Sequence, residues 1–597
     1  MYKRALTNFE TAYGTDHPKV AFVLSNLARL YERQHHVAAA LDNSRRAVAI
    51  LTRLRDDGLE DARGGLATRQ AEKAYFLQLV HLLADGLSDA RDLGTVEEAF
   101  RAAQYAGGIE TAQALASMAV RAMAGTDALA TLIRDRQDHS SRWRELDADL
   151  VKALSRAPDK RNLAIETASR KEQAEIEKKL TAIDARLRAE FPRFAELAAA
   201  RPVGVADVQN VLGAGEVFAA ITLNGAESYL FVIRKDRAQF FRLYIGDTQV
   251  AEAVRTMRAA LTSEAPFDLA KAHDLFEKLL GPADGLIADA KHLIIVPDGA
   301  LQSLPPAVLV TALPAGDAAK NADYRLAAWL IRRQALTVLP AASSLVSLRR
   351  FAEARHAKVA FAAFGDPDFQ GDGSARGIII SGLFRGAEAD IERLRSLPRL
   401  QETADELRAE AKALGAPVSS LHLGTDASVS TVERLDLADT RVLAFATHGL
   451  IAGDLPKLAE PALVLSPPAH PTPEDDGLLR ASQVSQLKLN ADFVILSACN
   501  TAAPDGRPGA EGLSGLAKAF FYAGARSLLV SHWPVDSDAT VKLTTGLIRA
   551  VADDPSIGRA EALRRSILAM IDAPDANEAH PALWAPFILA GEGGVGR

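Results

Sequence analysis

"RVLAFATHGL" (441–450) and "ADFVILSACNTA" (491–502) are built alike. Each is an apolar run of the kind that forms a buried strand, and each breaks onto a polar residue, His448 in the first and Cys499 in the second. Open α/β sheets keep their chemistry just past the carboxyl ends of their strands. If the two runs are parallel neighbours, His448 and Cys499 emerge at one edge although 51 residues separate them in the chain.

An imidazole within reach of a thiol can take its proton, and the thiolate then attacks a carbonyl carbon; the same imidazole can return a proton to a leaving amine. The negative charge that develops on the carbonyl oxygen needs donors fixed in advance. Gly449 admits a substrate backbone, and its N–H together with that of Cys499 would form such a pair. Asn500 and Thr501 are candidates to anchor the loop, with turn-making the favoured role for the Asn. A bland reading stands beside each residue: a lone Cys after a strand is commonly a small buried hydrophobe, and a lone His there is commonly satisfied by backbone.

Around these strands lies a chain of 597 residues, 48% hydrophobic and 24% charged, with 69 Lys and Arg against 76 Asp and Glu. That length implies several structural units. The mild acidity, with few aromatics, argues against a nucleic-acid surface. One Cys allows no internal disulfide, and no Cys/His group has zinc spacing, so no metal and no cofactor is expected. No apolar run approaches the ~20 residues that cross a bilayer. A chain in the cytoplasm without membrane contact is expected.

"HPKVAFVLSNLARLYERQHHVAAALDNSRRAVAI" (17–50) reads as two amphipathic helices with a turn at Gln34 to His36. Leu24, Leu27, Ala28 and Tyr31 share one face, and Ala40, Ala47 and Val48 face them. The pair resembles a tetratricopeptide repeat. "YKRAL" (2–6) matches "SRRAV" (44–48) at an offset of 42, so the chain begins inside an earlier repeat. One repeat is too few to stand alone. Either the following helices cap it, or upstream repeats and any targeting segment are missing. Residues 61–200 keep a helical pattern with breaks at 125–127 and 157–159, and Ile176, Leu180, Ile183 and Leu187 form a stripe on a packing helix or, alternatively, on a partner-binding one. After "ARPVG" (200–204) the pattern changes. A hairpin about Asn224-Gly225 leads into apolar runs at 292–296, 359–365, 442–447, 462–466, 493–498 and 527–531, separated by helical stretches such as 402–415. This alternation predicts a mostly parallel sheet with helices on both faces. The expected division is a repeat at 1–60, a helical linker or cap at 61–200, and an α/β domain at 201–597.

"FATHGL", "EPALVLSP", "DDGLLRASQV", "LSACNTA", "GAEGLSGLAKAFFYAGARSLLVSHWPVDSDAT", "LIIVPDGALQSLP" and "FGDPDF" together resemble the CHAT family, caspase-like peptidases related to separase and often fused to tetratricopeptide repeats. The His-to-Cys interval also meets the caspase spacing of about 50. The resemblance spans roughly residues 205–592. It implies a caspase-like fold, hydrolysis of protein substrates without a metal, a catalytic dyad of His448 and Cys499, and Gly449 as the oxyanion glycine. Caspases carry Gln two residues before the Cys to bind a P1 aspartate; here Ser497 is too short, so Asp specificity is not expected. "GRPGAEGLSG" (506–515) lacks G-K-[ST] and reads as the entry to a helix rather than a phosphate loop. Asp454, Asp475 and Asp476 read as solvated loop charges, Trp533 as packing where the last strand ends, and His422, His470, His532 and His580 as structural.

Asp536 and Asp538 follow the strand at 527–531 at the edge expected for Cys499. With Ser497 they are candidates for a P1 pocket, where a carboxylate would favour Arg. As separase cleaves after arginine with acidic pocket residues, the similar "WPVDSD" implies the same; the alternative is that these aspartates cap the helix that follows. The leading function is a cysteine endopeptidase whose repeats bind a regulator or its protein substrate. The alternative is a catalytically silent scaffold that binds partners through the repeats.

Overall fold

The structure, a computed structural model, describes residues 2–56, 66–86, 92–107, 163–190, 202–314, 323–350, 358–369, 384–385, 388–389, 394–450, 461–472, 475–498, 515–533 and 536–594, with isolated residues between 132 and 150. Two compact units divide the chain, Met1–Val205 and Ala206–Arg597.

In the first unit the helices Tyr2–Tyr13, Pro18–Arg33 and Val37–Asp56 pack in succession, as the offset of 42 predicts. Pro18 opens its helix where a missing N–H costs nothing, and His17 caps it by accepting the N–H of Lys19. The turn falls at Gln34 to His36, with His35 at a φ of 57°. Leu24, Leu27, Ala28, Ala40 and Ala47 are buried, while Tyr31 and Val48 are half-buried. Ala28 and Ala40 meet Leu82 of the helix Leu66–Asp85, and the Ser25 hydroxyl donates to Gln78 Oε1 at 2.6 Å. A following helix therefore covers the repeat. The helix Leu163–Glu190 buries Ile176, Leu180 and Leu187 with Ile183 half-buried. The breaks expected at 125–127 and 157–159 lie outside the described residues.

The second unit holds sixteen described strands: β1 Glu216–Thr222, β2 Ser228–Ile233, β3 Ala238–Leu243, β4 His292–Val296, β5 Ala335–Val338, β6 Val359–Pro367, β7 Phe384–Arg385, β8 Glu388–Ala389, β9 Leu421–Gly424, β10 Thr440–Ala446, β11 His448–Leu450, β12 Ala462–Val464, β13 Leu478–Arg480, β14 Phe493–Ser497, β15 Ser527–Ser531 and β16 Phe587–Gly591. Eleven form one sheet in the order β3-β2-β1-β4-β5-β16-β15-β14-β10-β6-β9. β1, β4 and β5 are mutually parallel, as are β15, β14, β10, β6 and β9, and β16 runs antiparallel to β15. The helical N-terminal region and the mostly parallel α/β sheet are as the sequence predicts.

Three details differ from expectation. β1 and β2 do form a hairpin, but five residues join them and neither Asn224 nor Gly225 has a positive φ. The Asn224 carbonyl instead accepts the N–H of Asp247, and a Cβ on Gly246 would meet the Gly225 carbonyl oxygen at 2.0 Å. Close backbone approach explains Gly246, whereas a Cβ on Gly225 would meet nothing within 4 Å. The run at 462–466 leaves the main sheet: β12 lies between β11 and β13 in a separate antiparallel sheet. β15 is also not the last strand, because β16 follows and pairs with it; Trp533 is buried beyond β15, with its indole N–H on the Ala582 carbonyl at 3.2 Å.

Candidate active site

β10 and β14 are parallel neighbours whose register runs from Val442–Phe493 to Ala446–Ser497. The Thr447 N–H reaches the Ser497 carbonyl at 3.3 Å, which extends the ladder to the sheet edge. His448 therefore follows the last paired residue directly. Cys499 stands two positions after Ser497 in the sequence and lies outside the described residues, as do Asn500 and Thr501. The small sheet takes over at His448, which pairs with Val464 while Gly449 pairs with Leu463. The buried Thr447 hydroxyl donates to the Val464 carbonyl and ties the two sheets at this corner.

His448 Nε2 lies 3.0 Å from the Pro398 carbonyl oxygen. A carbonyl only accepts, so Nε2 carries the proton and the Nδ1 lone pair is left as the base. Burial pushes the imidazole below its ordinary pKa, opposed by the Pro398 hydrogen bond and the Glu402 charge. The ring is thus held neutral near pH 7, as a proton acceptor requires. Phe369 packs against it at 5.5 Å.

The segment "FGDPDF" (364–369) builds that environment. Gly365 lies opposite Ala446, and a Cβ there would sit 2.5 Å from Leu407. Asp366, at a φ of 43°, takes a bidentate grip on Arg399, both contacts at 2.8 Å. Arg399 is the residue after Pro398, so this ion pair fixes the carbonyl that orients His448. Asp366 lies in the "FGDPDF" motif, but the sequence carries no sign that Pro398 and Arg399 belong to the site. The group that matters at position 398 is backbone, which leaves no side-chain signature.

Beneath the site, the helix Gln401–Ala413 buries Glu406 and Glu410 against the helix Ser537–Asp553. Glu406 accepts the hydroxyls of Ser497 at 3.3 Å and Thr544 at 2.8 Å. Burial pushes its carboxyl up to about 7, with those hydrogen bonds opposing. Glu410 is pushed well above the usual carboxylate range by burial and by the Glu406 charge. The sequence carried a signal for them: positions 403, 406, 407, 410 and 411 form one helical stripe in which two glutamates replace apolar residues.

Among the pocket candidates, Ser497 spends its hydroxyl on Glu406, and Asp536 caps the helix Ser537–Asp553 by accepting the Ala539 N–H at 3.0 Å. Asp536 and Asp538 are both exposed. Asp476 corrects an expectation: it is buried and paired with Arg480, not a solvated charge, whereas Asp454 lies outside the described residues. His422 stacks on Phe364, His580 caps a short helix, and His532 is fully buried; His470 is exposed. The Gly-rich stretch up to residue 514 also lies outside the described residues.

The CHAT domain family model matches residues 269–592, which is more than half of the 597. The chain belongs to the CHAT-domain family. A tetratricopeptide repeat model matches residues 1–53 ahead of the CHAT domain. Mouse tetratricopeptide repeat protein 28 is 33% identical over 118 residues, 19% of this chain and only 4% of that protein's length. Among solved structures, the Arg-specific cysteine proteinase gingipain R aligns with a TM-score of 0.31 at 8% identity, over 58% of this chain and 75% of that one. The separase of the Saccharomyces cerevisiae separase–securin complex aligns with a TM-score of 0.34 at 9% identity, over 93% of this chain and 40% of that one. Among the described residues, no helix beside the CHAT domain or within it is long and apolar enough to cross a membrane.

Proposed function

We propose that this chain is a cysteine endopeptidase acting through His448 and Cys499. The observation that carries the reading is the β10–β14 register: Ala446 and Ser497 are partners, and each stands two residues before one member of the dyad. His448 adds a neutral imidazole with Nδ1 left as the base. In the reaction, Nδ1 takes the thiol proton and the thiolate bonds to the scissile carbonyl carbon. The oxyanion is held by the N–H groups of Gly449 and Cys499. The imidazolium then protonates the leaving amine as the C–N bond breaks, and water, deprotonated by the same imidazole, releases the acyl group. No metal enters these steps.

Asp536 and Asp538, with Ser497, are the proposed P1 wall, and they favour Arg or Lys. A cap carboxylate has a second oxygen, so capping and guest binding are compatible at Asp536. The tetratricopeptide unit is the proposed docking place for a regulator or protein substrate, since repeat helices present extended binding surfaces. A thiol-reactive peptidyl probe with P1 Arg tests the core of this reading. Labelling of Cys499 that disappears in His448→Ala is the expected result. Equal labelling of wild type and His448→Ala, or no new protein N-termini in cells expressing wild type rather than Cys499→Ala, would overturn it.

A further inference from the structure

At the opposite edge of the sheet, where β1, β4, β5 and β15 begin, lies a cavity of about 850 Å³. Its size is that of a small-molecule site. Lys291, Arg333, Arg349, Arg526, Arg564 and Arg565 line it, against the carboxylates of Glu216, Glu561 and Glu592. The carboxylates are already committed, Glu216 and Glu592 to Arg349 and Glu561 to Arg564 and Arg565. Arg333 is held through one terminal nitrogen by Asp284, outside the lining, and among the described residues Arg526 has only a long contact of 3.7 Å to Asp492. The wall therefore carries an excess of positive charge in a chain whose net charge is −7.

A second observation points to a ligand. Gln334 lines this cavity and is 1% exposed, yet among the described residues neither its amide oxygen nor its amide nitrogen has a partner. Arg333 Nε and Arg526 Nε are likewise buried without one. An unsatisfied buried amide is costly, so such groups persist where something completes them. Convergent guanidinium groups match the oxygens of a phosphate in charge and in fork geometry. Two glycines let the backbone close in on the wall: a Cβ on Gly593 would meet Thr337 Oγ1 at 2.2 Å, and one on Gly594 would meet the oxygens of Glu216 and Glu592 at 2.9 Å.

We propose that this cavity binds a small phosphorylated molecule, with Arg526, Arg333 and Arg565 on the phosphates and the Gln334 amide on a neighbouring polar group of the same ligand. The site is separate from His448 and does not rest on the peptidase reading.

The test is calorimetric titration of the full chain with inorganic tripolyphosphate, using citrate as a carboxylate of similar charge. Saturable 1:1 binding, at least tenfold tighter for tripolyphosphate than for citrate, is expected. Arg526→Gln should weaken it at least tenfold. Arg565→Gln, at the half-exposed rim, does the same by a smaller factor and serves if Arg526→Gln fails to fold. Gln334→Leu should weaken a nucleoside triphosphate more than tripolyphosphate. Absence of saturable binding, equal affinity for citrate, or affinity unchanged in both arginine variants would overturn the proposal. So would a Gln334→Leu variant that is stabilised and binds every probe as wild type does, because the amide would then hold only water.

Discussion

Two buried charged clusters sit at opposite edges of the same sheet and solve burial in opposite ways. At the edge where strands begin, Arg349 uses all five of its N–H donors: two on Glu216 at 2.5 and 2.8 Å, two on Glu592 at 2.6 and 3.0 Å, and one on the Val211 carbonyl at 2.9 Å. His292 adds a contact to Glu216 at 3.2 Å. Burial alone would push Glu216 up, but the hydrogen bonds from His292 and Arg349 and the charge of Arg349 hold it well below the usual carboxylate range. Beneath His448, Glu406 is buried with two hydroxyls as its partners and Glu410 with neither carboxyl oxygen hydrogen-bonded; among the described residues no cation pairs with either, and burial drives both toward the neutral form. Burial does not decide the charge of a carboxyl; the partner does.

The largest expected effect comes from breaking the paired cluster. Arg349→Met leaves two carboxylates buried without their cation and should destabilise the second unit by about 3–5 kcal/mol. Urea unfolding followed by the fluorescence of Trp329, Trp533 and Trp584 measures it. The two clusters should also respond to pH with opposite signs. Glu216, with its folded pKa below the ordinary 4.5, contributes stability present above that value and lost as pH falls through the folded pKa. Glu406, raised to about 7, contributes stability fully present below 4.5 and lost as pH rises toward 7. That loss is about 2–3 kcal/mol. Glu406→Gln should flatten the alkaline limb of the unfolding free energy and leave the acid limb unchanged.

Smaller, and opposite in sign to Arg349→Met, is Glu410→Met. Neither carboxyl oxygen of Glu410 has a hydrogen-bond partner among the described residues, so an apolar side chain of similar length should stabilise by about 1–2 kcal/mol at pH 8. A loss of stability in this variant would mean that the carboxyl is held by a partner, and the contrast between the clusters would fail.

The same contrast explains what could be read from the sequence. β10, β14 and β15 were legible because each holds an unbroken, buried apolar run, at 442–446, 493–496 and 528–530. β5, β9, β11 and β13 are three or four residues long, and pairing rather than composition makes them strands. His448 was legible from its place at a strand end. The groups that tune it were not: the Pro398 carbonyl comes from 50 residues earlier, and the Asp366–Arg399 pair behind it joins the end of β6 to the segment before the helix Gln401–Ala413. Asp476 was misread because its cation lies four residues on in β13, a strand too short to recognise.

The smallest expected effect concerns that hidden pair. Asp366 is buried at 9% side-chain exposure and adopts a positive φ, while Arg399 is 42% exposed. An ion pair with so exposed a partner contributes little to stability, so Arg399→Ala should barely move the unfolding midpoint. Its consequence on the peptidase reading is local: the segment carrying the Pro398 carbonyl loses its anchor, and the imidazole loses the acceptor that keeps the proton on Nε2 and the lone pair on Nδ1. Arg399 is thus a positioning residue. With a P1 Arg peptide, Arg399→Ala should lower kcat about fivefold, ~1 kcal/mol, and leave KM nearly unchanged. Arg399→Lys should recover only part of the loss, since an ammonium cannot grip both oxygens of Asp366. A fall in KM-dependent binding with kcat intact would instead place Arg399 on the substrate, and the chain from Asp366 to His448 would carry no catalytic weight.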